Sequence, residues 1–339
     1  MCRHLAYLGP PATLRSLLTD PPHSLFRQAW APRRQRYGTV NADGFGIGWY
    51  TDGDPVPARY RRGTPIWGDP SLPDLARVIR SGAVLAAVRS ATEGTAAGEQ
   101  AAAPFADGRW LFSHNGRLDG WPESAAGLAA RLLPAGPSGA AILLSLEAMV
   151  DSAFLWALIS RRLRAGEAMA AALAATIAAV EAAGGAGRFN FLLTDGQAIA
   201  ATASGDMLWY RRRPAGSGAP GSGAPGSGAP GDAAPWSVTV ASEPDDDGPG
   251  WTEVPARHVL TATPSGVSVR PLAPAAPGGP ASPGSPSTRD RAASPGLPAS
   301  PSRPASPGLP ASASVPASHG RPAPHSVPAS TTTSASKGF

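Results

Sequence analysis

The first part of the chain carries short apolar runs in the pattern of β-strands. Five segments there predict strands, and the second and third form a hairpin-like pair: 3–8, 44–51, 58–62, 84–90 and 110–114. A short helix is predicted at 74–81.

The middle of the chain changes to a helical period. Ala- and Leu-rich patterns predict one helix at 122–133 and two or three helices over 151–181, separated near Ala165-Gly166. The period changes again after Gly184-Gly185, and five further segments with strand character are punctuated by turn residues: 188–194, 198–203, 207–212, 237–242 and 257–269. Strands, then helices, then strands predict an α+β domain in which sheets stack and helices cover their outer faces.

Composition limits how much of the 339-residue chain folds. Residues 273–339 are almost entirely Pro, Ala, Ser, Gly and Thr, which cannot bury enough apolar surface to offset chain entropy, so a disordered tail is predicted. Residues 214–235 repeat Gly-Ser-Gly-Ala-Pro and predict a flexible insert. The remaining roughly 250 residues, within 1–272, suffice for one domain.

Charge and hydropathy argue against two classes of partner. The net charge of +5 comes from arginines, since Lys337 is the only lysine, and these arginines form no basic stripe with interleaved aromatics. We therefore expect no nucleic-acid partner. No run of eighteen apolar residues occurs and the first residues do not resemble a secretory signal, so we expect no membrane span and a cytoplasmic location.

Cys2 is the only cysteine, which excludes an intrachain disulfide and a multi-cysteine metal site. Removal of Met1 would leave Cys2 with a free α-amine beside its thiol. That amine has a reference pKa of ~7.7–8.0, so it can accept the thiol proton near neutral pH. The alternative is a buried, unreactive cysteine at the start of an edge strand.

Three other segments supply parts of an acyl-transfer site. The amide of Asn115 and the N–H of Gly116 can donate two hydrogen bonds to an oxyanion, although Asn-Gly also occurs as a simple turn. Arg89 can bind a carboxylate in bidentate fashion or form a surface salt bridge. Asp151 can attract an ammonium group or cap a helix.

Several other kinds of site are not indicated. The segment Gly44–Gly48 lacks the dinucleotide-binding spacing and does not open a helix. The six histidines show no metal-ligand spacing: positions 4, 23, 114, 258, 319 and 325. We expect no metal and no cofactor.

Taken in order, these motifs resemble those of class II glutamine amidotransferases, an N-terminal-nucleophile (Ntn) hydrolase family with a four-layer αββα sandwich fold. Five matches carry the resemblance: Met-Cys-x-x-x-x-Tyr at the N-terminus, 41–44 (Asn-Ala-Asp-Gly), 89–94 (Arg-Ser-Ala-Thr-x-Gly), 114–116 (His-Asn-Gly) and 151–152 (Asp-Ser).

Within that family the chain is similar to the stand-alone branch of ergothioneine biosynthesis. Five segments point there: 1–5, 31–35, 87–92, 104–105 and 241–247. The resemblance covers 1–272 and implies hydrolysis of the γ-glutamyl amide of γ-glutamyl-hercynylcysteine sulfoxide, a small-molecule substrate.

The resemblance also implies a role for each matched residue. Cys2 is the nucleophile with its α-amine as base, and Asn115 with Gly116 forms the oxyanion hole. Arg89 binds the glutamyl α-carboxylate, Asp151 binds the α-ammonium, and Thr92 lines the same pocket. A supporting segment packs beside the nucleophile: Asn41, Asp43 and Gly44.

Three points stay open in the sequence. The trimethylammonium group of the product suggests aromatic or acidic contacts, and the aromatic candidates, or else core residues, are Trp30, Tyr37 and Trp67. The chain could instead be a glutaminase that delivers ammonia to a separate synthetase, or a non-catalytic binding protein that keeps the fold. The oligomeric state is not predicted.

Overall fold

The computed structural model describes residues 2–91, 95–214 and 235–273. The chain divides into two compact units, Met1–Ala281 and Ser282–Phe339, and every described residue belongs to the first unit. Of the insert predicted at 214–235, only the two end residues are described. Of the tail predicted at 273–339, only residue 273 is described.

The described residues form thirteen strands. They are β1 (Arg3–Thr13), β2 (Phe45–Thr51), β3 (Asp54–Arg62), β4 (Arg80–Val88), β5 (Phe105–Asp107), β6 (Trp110–Leu118), β7 (Gly187–Thr194), β8 (Ile199–Ala203), β9 (Trp209–Pro214), β10 (Trp236–Ala241), β11 (Thr252–Glu253), β12 (His258–Thr263) and β13 (Gly266–Pro271).

Seven α-helices occur in the same part of the chain. They are α1 (Leu14–Leu18), α2 (Leu25–Gln28), α3 (Leu72–Val78), α4 (Glu123–Leu132), α5 (Pro137–Leu144), α6 (Asp151–Arg164) and α7 (Met169–Ala182).

The strands form two antiparallel sheets. The first sheet has the order β11-β9-β10-β1-β4-β2-β3, so β1 is its central strand, and the second has the order β13-β12-β8-β7-β6-β5. Small and branched apolar side chains from both sheets fill the space between them, among them Ala6, Leu85, Leu192 and Val240. The two sheets therefore share one dry interface.

Helices cover both outer faces. On the outer face of the first sheet, the first residue of each of the helices α1, α2 and α3 packs with Leu5 and Tyr7. These three residues are Leu14, Leu25 and Leu72. The long helices α6 and α7 cover the second sheet together with α4. The layer order is helices, sheet, sheet, helices, which confirms the predicted α+β fold and the αββα sandwich.

The observed elements differ from the prediction mainly in length. The helix predicted at 74–81 ends at Val78, because Arg80 and Ser81 pair with the end of β1 and already belong to β4. The segment predicted as one unit at 257–269 is the hairpin β12–β13. Five short elements were not predicted: helices α1, α2 and α5 and strands β5 and β11.

The described ranges lack two kinds of feature. No helix there is long and apolar enough to cross a membrane. No group of three or more His, Cys, Asp or Glu side chains there is arranged to hold a metal ion.

Candidate active site

Four residues that the sequence predicted as site residues line one cavity. Cys2, Arg89, Gly116 and Asp151 all border it. They come from four places: the residue before β1, the end of β4, the end of β6 and the first position of α6. Thr92, predicted to line the same pocket, lies outside the described residues.

Cys2 lies next to the central strand of the first sheet. It directly precedes β1, the middle strand of the first sheet, and its side chain is partly exposed. The alternative of a buried cysteine on an edge strand is therefore wrong. His114 and Gly116 of the second sheet border the same cavity, so the thiol-bearing residue lies where the two sheets meet.

Arg89 is a buried cation whose described partners are all neutral. Its Nη2 donates to Thr95 Oγ1 at 3.1 Å and to the carbonyl of Ala96 at 2.9 Å, and its Nη1 donates to the carbonyl of Asp43 at 3.3 Å. The residue is 7% exposed, and no described ion pair includes it, so it is not a surface salt-bridge partner. A buried guanidinium held only by neutral oxygens retains most of its attraction for an anion.

Asp151 is the matching buried anion. Its Oδ2 accepts from the backbone N–H of Leu118 at 2.8 Å, and its Oδ1 accepts from the N–H of Ser152 at 2.7 Å. The N-cap of α6 is Val150, so Asp151 is the first helical residue and not the cap. Among the described ion pairs none involves this carboxylate.

Arg89 and Asp151 thus place opposite charges on the wall of one cavity without pairing with each other. Within the described ranges, each is positioned by hydrogen bonds to neutral groups, which fix its geometry and leave it without an ionic partner there. A zwitterion of the α-amino-acid type fits this arrangement, because its carboxylate and ammonium groups complement the two charges.

Asn115 and Gly116 belong to strand β6 and do not form a turn. Asn115 is fully buried, and its Nδ2 makes only a long contact, 3.4 Å, with Ser242 Oγ. An added Cβ on Gly116 would collide with the carbonyl oxygen of Arg188 and lie 2.6 Å from His114 Nε2. Only glycine fits at this position without moving the neighbouring strand.

Two of the three predicted supporting residues, Asp43 and Gly44, hydrogen-bond to Arg89, and the third, Asn41, is anchored elsewhere. Asp43 donates its N–H to the Arg89 carbonyl at 2.9 Å, and Arg89 donates its N–H to the Gly44 carbonyl at 2.8 Å. Gly44 has a φ of +125°, and a Cβ there would lie 2.8 Å from the carbonyl of Arg62. Asn41 is fully buried and donates from Nδ2 to the carbonyl of Gln28 at 2.9 Å.

His114 belongs to one of the matched motifs, and the structure gives it a positioning role. Burial lowers its pKa, so the ring is neutral at neutral pH. Its Nε2 lies 2.8 Å from the Arg188 carbonyl and its Nδ1 3.1 Å from Ser152 Oγ. A carbonyl only accepts, so Nε2 carries the proton and Nδ1 accepts from the serine. The ring therefore ties β7, β6 and the start of α6 together.

His4 and Ser242 are further residues that sequence reasoning missed. His4 is fully buried, and its pKa is lowered to about 3, first by burial and then by the nearby positive charge of Arg3. Ser242 Oγ accepts from the N–H of His4 at 3.0 Å, and its own N–H donates to the His4 carbonyl at 3.0 Å. These bonds join the end of β10 to β1 at His4, two residues after Cys2 in the chain. Position 242 lies in a motif used for the resemblance, but its contact with His4 spans 238 positions and has no local signal.

The three aromatic candidates separate into two places. Trp30 and Trp67 contact each other edge to face, with ring centroids 5.7 Å apart. Tyr37 instead lies under the guanidinium of Arg188, whose Cζ is 4.5 Å from the ring centroid. All three are exposed, so the interpretation as core residues is wrong.

Comparison with known proteins gives a consistent result. Residues 17–218 match the family described as glutamine amidotransferases class-II. The chain is 42% identical over 273 residues to a gamma-glutamyl-hercynylcysteine sulfoxide hydrolase of Mycolicibacterium smegmatis, covering 80% of this chain and 100% of the relative. It is 39% identical to the protein of that name from Mycobacterium tuberculosis, covering 80% and 97% of the two chains.

A solved structure shares the fold. A glutamine aminotransferase class-II domain protein from Silicibacter pomeroyi superimposes with a TM-score of 0.53 at 23% identity, covering 80% of this chain and all of the other.

Proposed function

This chain belongs to the class-II glutamine amidotransferases, and from this premise we propose that it hydrolyses the γ-glutamyl amide of γ-glutamyl-hercynylcysteine sulfoxide, releasing glutamate and hercynylcysteine sulfoxide. The names of the mycobacterial relatives, which match over 80% of this chain, support the substrate. The chain is accordingly an amidohydrolase that acts on a linear amide.

One observation carries the proposal most directly. Cys2, Gly116, Arg89 and Asp151 border a single cavity. Cys2 supplies the nucleophile and Gly116 an oxyanion donor, while Arg89 and Asp151 supply a cation and an anion that form no ion pair with any described residue. This is the set of groups that hydrolysis of a γ-glutamyl amide needs: two charges to hold the amino-acid end, and two groups to act on the side-chain amide.

Arg89 binds the α-carboxylate of the glutamyl group and Asp151 binds its α-ammonium. Thr92, outside the described residues, is proposed to line the same pocket. Because both charges are buried and anchored by neutral groups, substrate binding requires no reorganisation of these side chains. The γ-carbonyl is then fixed beside Cys2.

The first half of the reaction forms a thioester. The thiol proton of Cys2 passes to the α-amine of the same residue, and the sulfur attacks the γ-carbonyl carbon. Asn115 Nδ2 and the N–H of Gly116 donate to the oxyanion. The carbon–nitrogen bond breaks as the α-ammonium returns its proton to the leaving nitrogen, and the amine departs.

The second half releases glutamate. Water gives a proton to the α-amine and attacks the thioester carbon, and the carbon–sulfur bond breaks as the thiolate is protonated again. His114 is not the base, because its Nδ1 accepts from Ser152 and its Nε2 donates to a carbonyl. Its role is to hold β7 against the strand that carries Asn115 and Gly116.

The mechanism requires the peptide bond between Met1 and Cys2 to be cleaved, since only a free α-amine can act as the base. It also requires a free thiol, which persists in a reducing compartment, and we therefore propose a cytoplasmic location.

Substitution of the nucleophile tests the proposal. Cys2→Ala is expected to abolish glutamate release from γ-glutamyl-hercynylcysteine sulfoxide while leaving substrate binding measurable by calorimetry. Free glutamine, assayed in parallel with the wild-type protein, distinguishes the glutaminase alternative, for which glutamine is the better substrate. Undiminished glutamate release by the alanine variant contradicts the proposal.

A further inference from the structure

Arg188 lies on the same face of the second sheet as Asn115. In the β6–β7 register Asn115 is opposite Asn190, and Arg117 is opposite Arg188. Residues that are directly opposite, or two apart on one strand, share a face of the sheet. The pair Arg117–Arg188 is therefore the next pair on this face after Asn115–Asn190, about 7 Å further along the strands.

The side chain of Arg188 is held at the surface by two neighbours. Gly205 packs against its stem, since an added Cβ on Gly205 would lie 2.6 Å from Arg188 Cγ. The guanidinium lies over the ring of Tyr37, with Cζ 4.5 Å from the centroid, and Tyr37 is 52% exposed. The guanidinium therefore lies beside an exposed ring, and Gly205 restricts the movement of its stem.

The charge of Arg188 is not compensated within the described part of the chain. Its Nε is buried and has no hydrogen-bond partner, and none of the described ion pairs includes its guanidinium. The two terminal nitrogens of such a guanidinium can bind a carboxylate in bidentate fashion.

Two neighbouring arginines do not offer the same site. Arg3 is fully buried, with its Nη2 3.7 Å from Oδ2 of the buried Asp206. Arg117 is exposed, and its Nε donates to Asp119 at 2.9 Å. Arg188 is thus the cation of the three that is both accessible and unpaired.

The backbone of Arg188 is part of the oxyanion region. Its carbonyl accepts from His114 Nε2 at 2.8 Å and lies against Gly116. The arginine is therefore fixed in position relative to the oxyanion donors by its main chain as well as by its side chain.

We propose that Arg188 binds the α-carboxylate of the amino acid whose nitrogen is released from the scissile amide. In a γ-glutamyl amino acid this carboxylate is two bonds from the scissile nitrogen, so it lies close to the oxyanion on the leaving-group side. Arg89 binds the carboxylate on the glutamyl side, and Arg188 binds the one on the amine side. The preferred substrate class is then a γ-glutamyl amide of an α-amino acid, and free glutamine lacks the second anchor. This inference rests on the proposed function and specifies which amides it covers.

Two matched synthetic probes isolate the contact. γ-Glutamyl-S-methylcysteine carries the carboxylate, and its cysteine carboxamide analogue has nearly the same size without the charge. The quantity measured is the ratio of kcat/KM for the two probes. We expect the wild-type ratio to favour the carboxylate, and Arg188→Gln to lower the ratio by about 10- to 100-fold, the usual effect of a charge-assisted hydrogen-bond pair.

Arg117→Gln is the matched control. It removes an equal charge from position 117, which is opposite Arg188 in the β6–β7 pairing and on the same face of the sheet. The guanidinium of Arg117, however, is already paired with Asp119. We expect this variant to keep the wild-type ratio. Arg188→Lys keeps the charge and most of the stem on Gly205 but loses the planar fork, so its ratio is expected to fall between those of wild type and Arg188→Gln.

Two results overturn the inference while leaving the proposed function intact: a wild-type ratio near one, or equal losses of the ratio in Arg188→Gln and Arg117→Gln. If the wild-type enzyme hydrolyses neither of the two probes nor γ-glutamyl-hercynylcysteine sulfoxide, the proposed function itself is contradicted.

Discussion

Asp43 and Arg89 are joined by two hydrogen bonds that run in opposite directions. The N–H of Asp43 donates to the Arg89 carbonyl at 2.9 Å, and the Arg89 guanidinium donates to the Asp43 carbonyl at 3.3 Å. The carboxylate of Asp43 is used elsewhere, accepting from the N–H of Ala91 at 2.7 Å. The aspartate thus shapes the strand end around the arginine without neutralising it, which keeps the cation available for substrate.

Substitution of Arg89 is expected to weaken glutamyl binding. Arg89→Lys keeps a positive charge but cannot form the three anchoring bonds and a bidentate carboxylate pair together. We expect KM for a γ-glutamyl substrate to rise about 10- to 100-fold. Steady-state kinetics measure this, with Arg77→Lys as the control, because Arg77 is an exposed residue paired with Asp74 on α3. An unchanged KM in Arg89→Lys argues against a carboxylate site here.

Asp151 is expected to bind the α-ammonium group of the substrate. Asp151→Asn removes the charge at constant size, and we expect kcat/KM to fall about 10- to 100-fold for a γ-glutamyl substrate with a free α-amine. For a substrate whose α-amine is acetylated, wild type and variant should differ much less. Asp119→Asn, at an exposed ion pair with Arg117, is the control.

The variant also loses one backbone acceptor at Leu118 or Ser152, so its melting temperature is measured beside its kinetics. If the variant loses activity equally on free and acetylated substrates, Asp151 acts only through the structure of α6 and does not contact the ammonium.

The stability of the fold should depend on pH through His4. Its folded pKa, about 3, lies below the value of ~6.5 in an unfolded chain. Between these values the unfolded state binds one more proton, so the stabilisation is complete above about pH 6.5 and is lost as the pH falls towards 3. Burial shifts the pKa of His114 in the same direction and adds to the effect.

Denaturant unfolding at a series of pH values measures this dependence. His4→Gln is expected to reduce the slope of the unfolding free energy between pH 6 and 4 by up to about 1.4 kcal/mol per pH unit. Equal slopes for wild type and His4→Gln contradict this assignment.

The sequence predicted those parts of the fold whose signals are local. Strand periodicity located β1, the β2–β3 hairpin and β6, and helical periodicity located α6 and α7, with a break at Ala165-Gly166 where the structure has one. The short helices α1 and α2 were missed because four or five residues do not complete two helical turns, and packing on the first sheet stabilises them.

The candidate site was predictable only where a residue type suggests its own chemistry. Cys2, Arg89 and Asp151 were found because a thiol, a guanidinium and a carboxylate are distinctive in motifs that occur in a fixed order. Ser242 and Arg188 were not found, because their positions depend on strand register. Ser242 reaches β1 across 238 positions, and Arg188 is next to Asn115 only through the pairing of β6 with β7.

The most direct test of the account is the mass spectrum of the intact protein, quenched with acid during turnover of a γ-glutamyl substrate. We expect a chain that begins at Cys2 and carries one glutamyl group, which peptide mapping places on that residue. A fully active protein that retains Met1, or a glutamyl group attached at any other residue, would contradict the central claim.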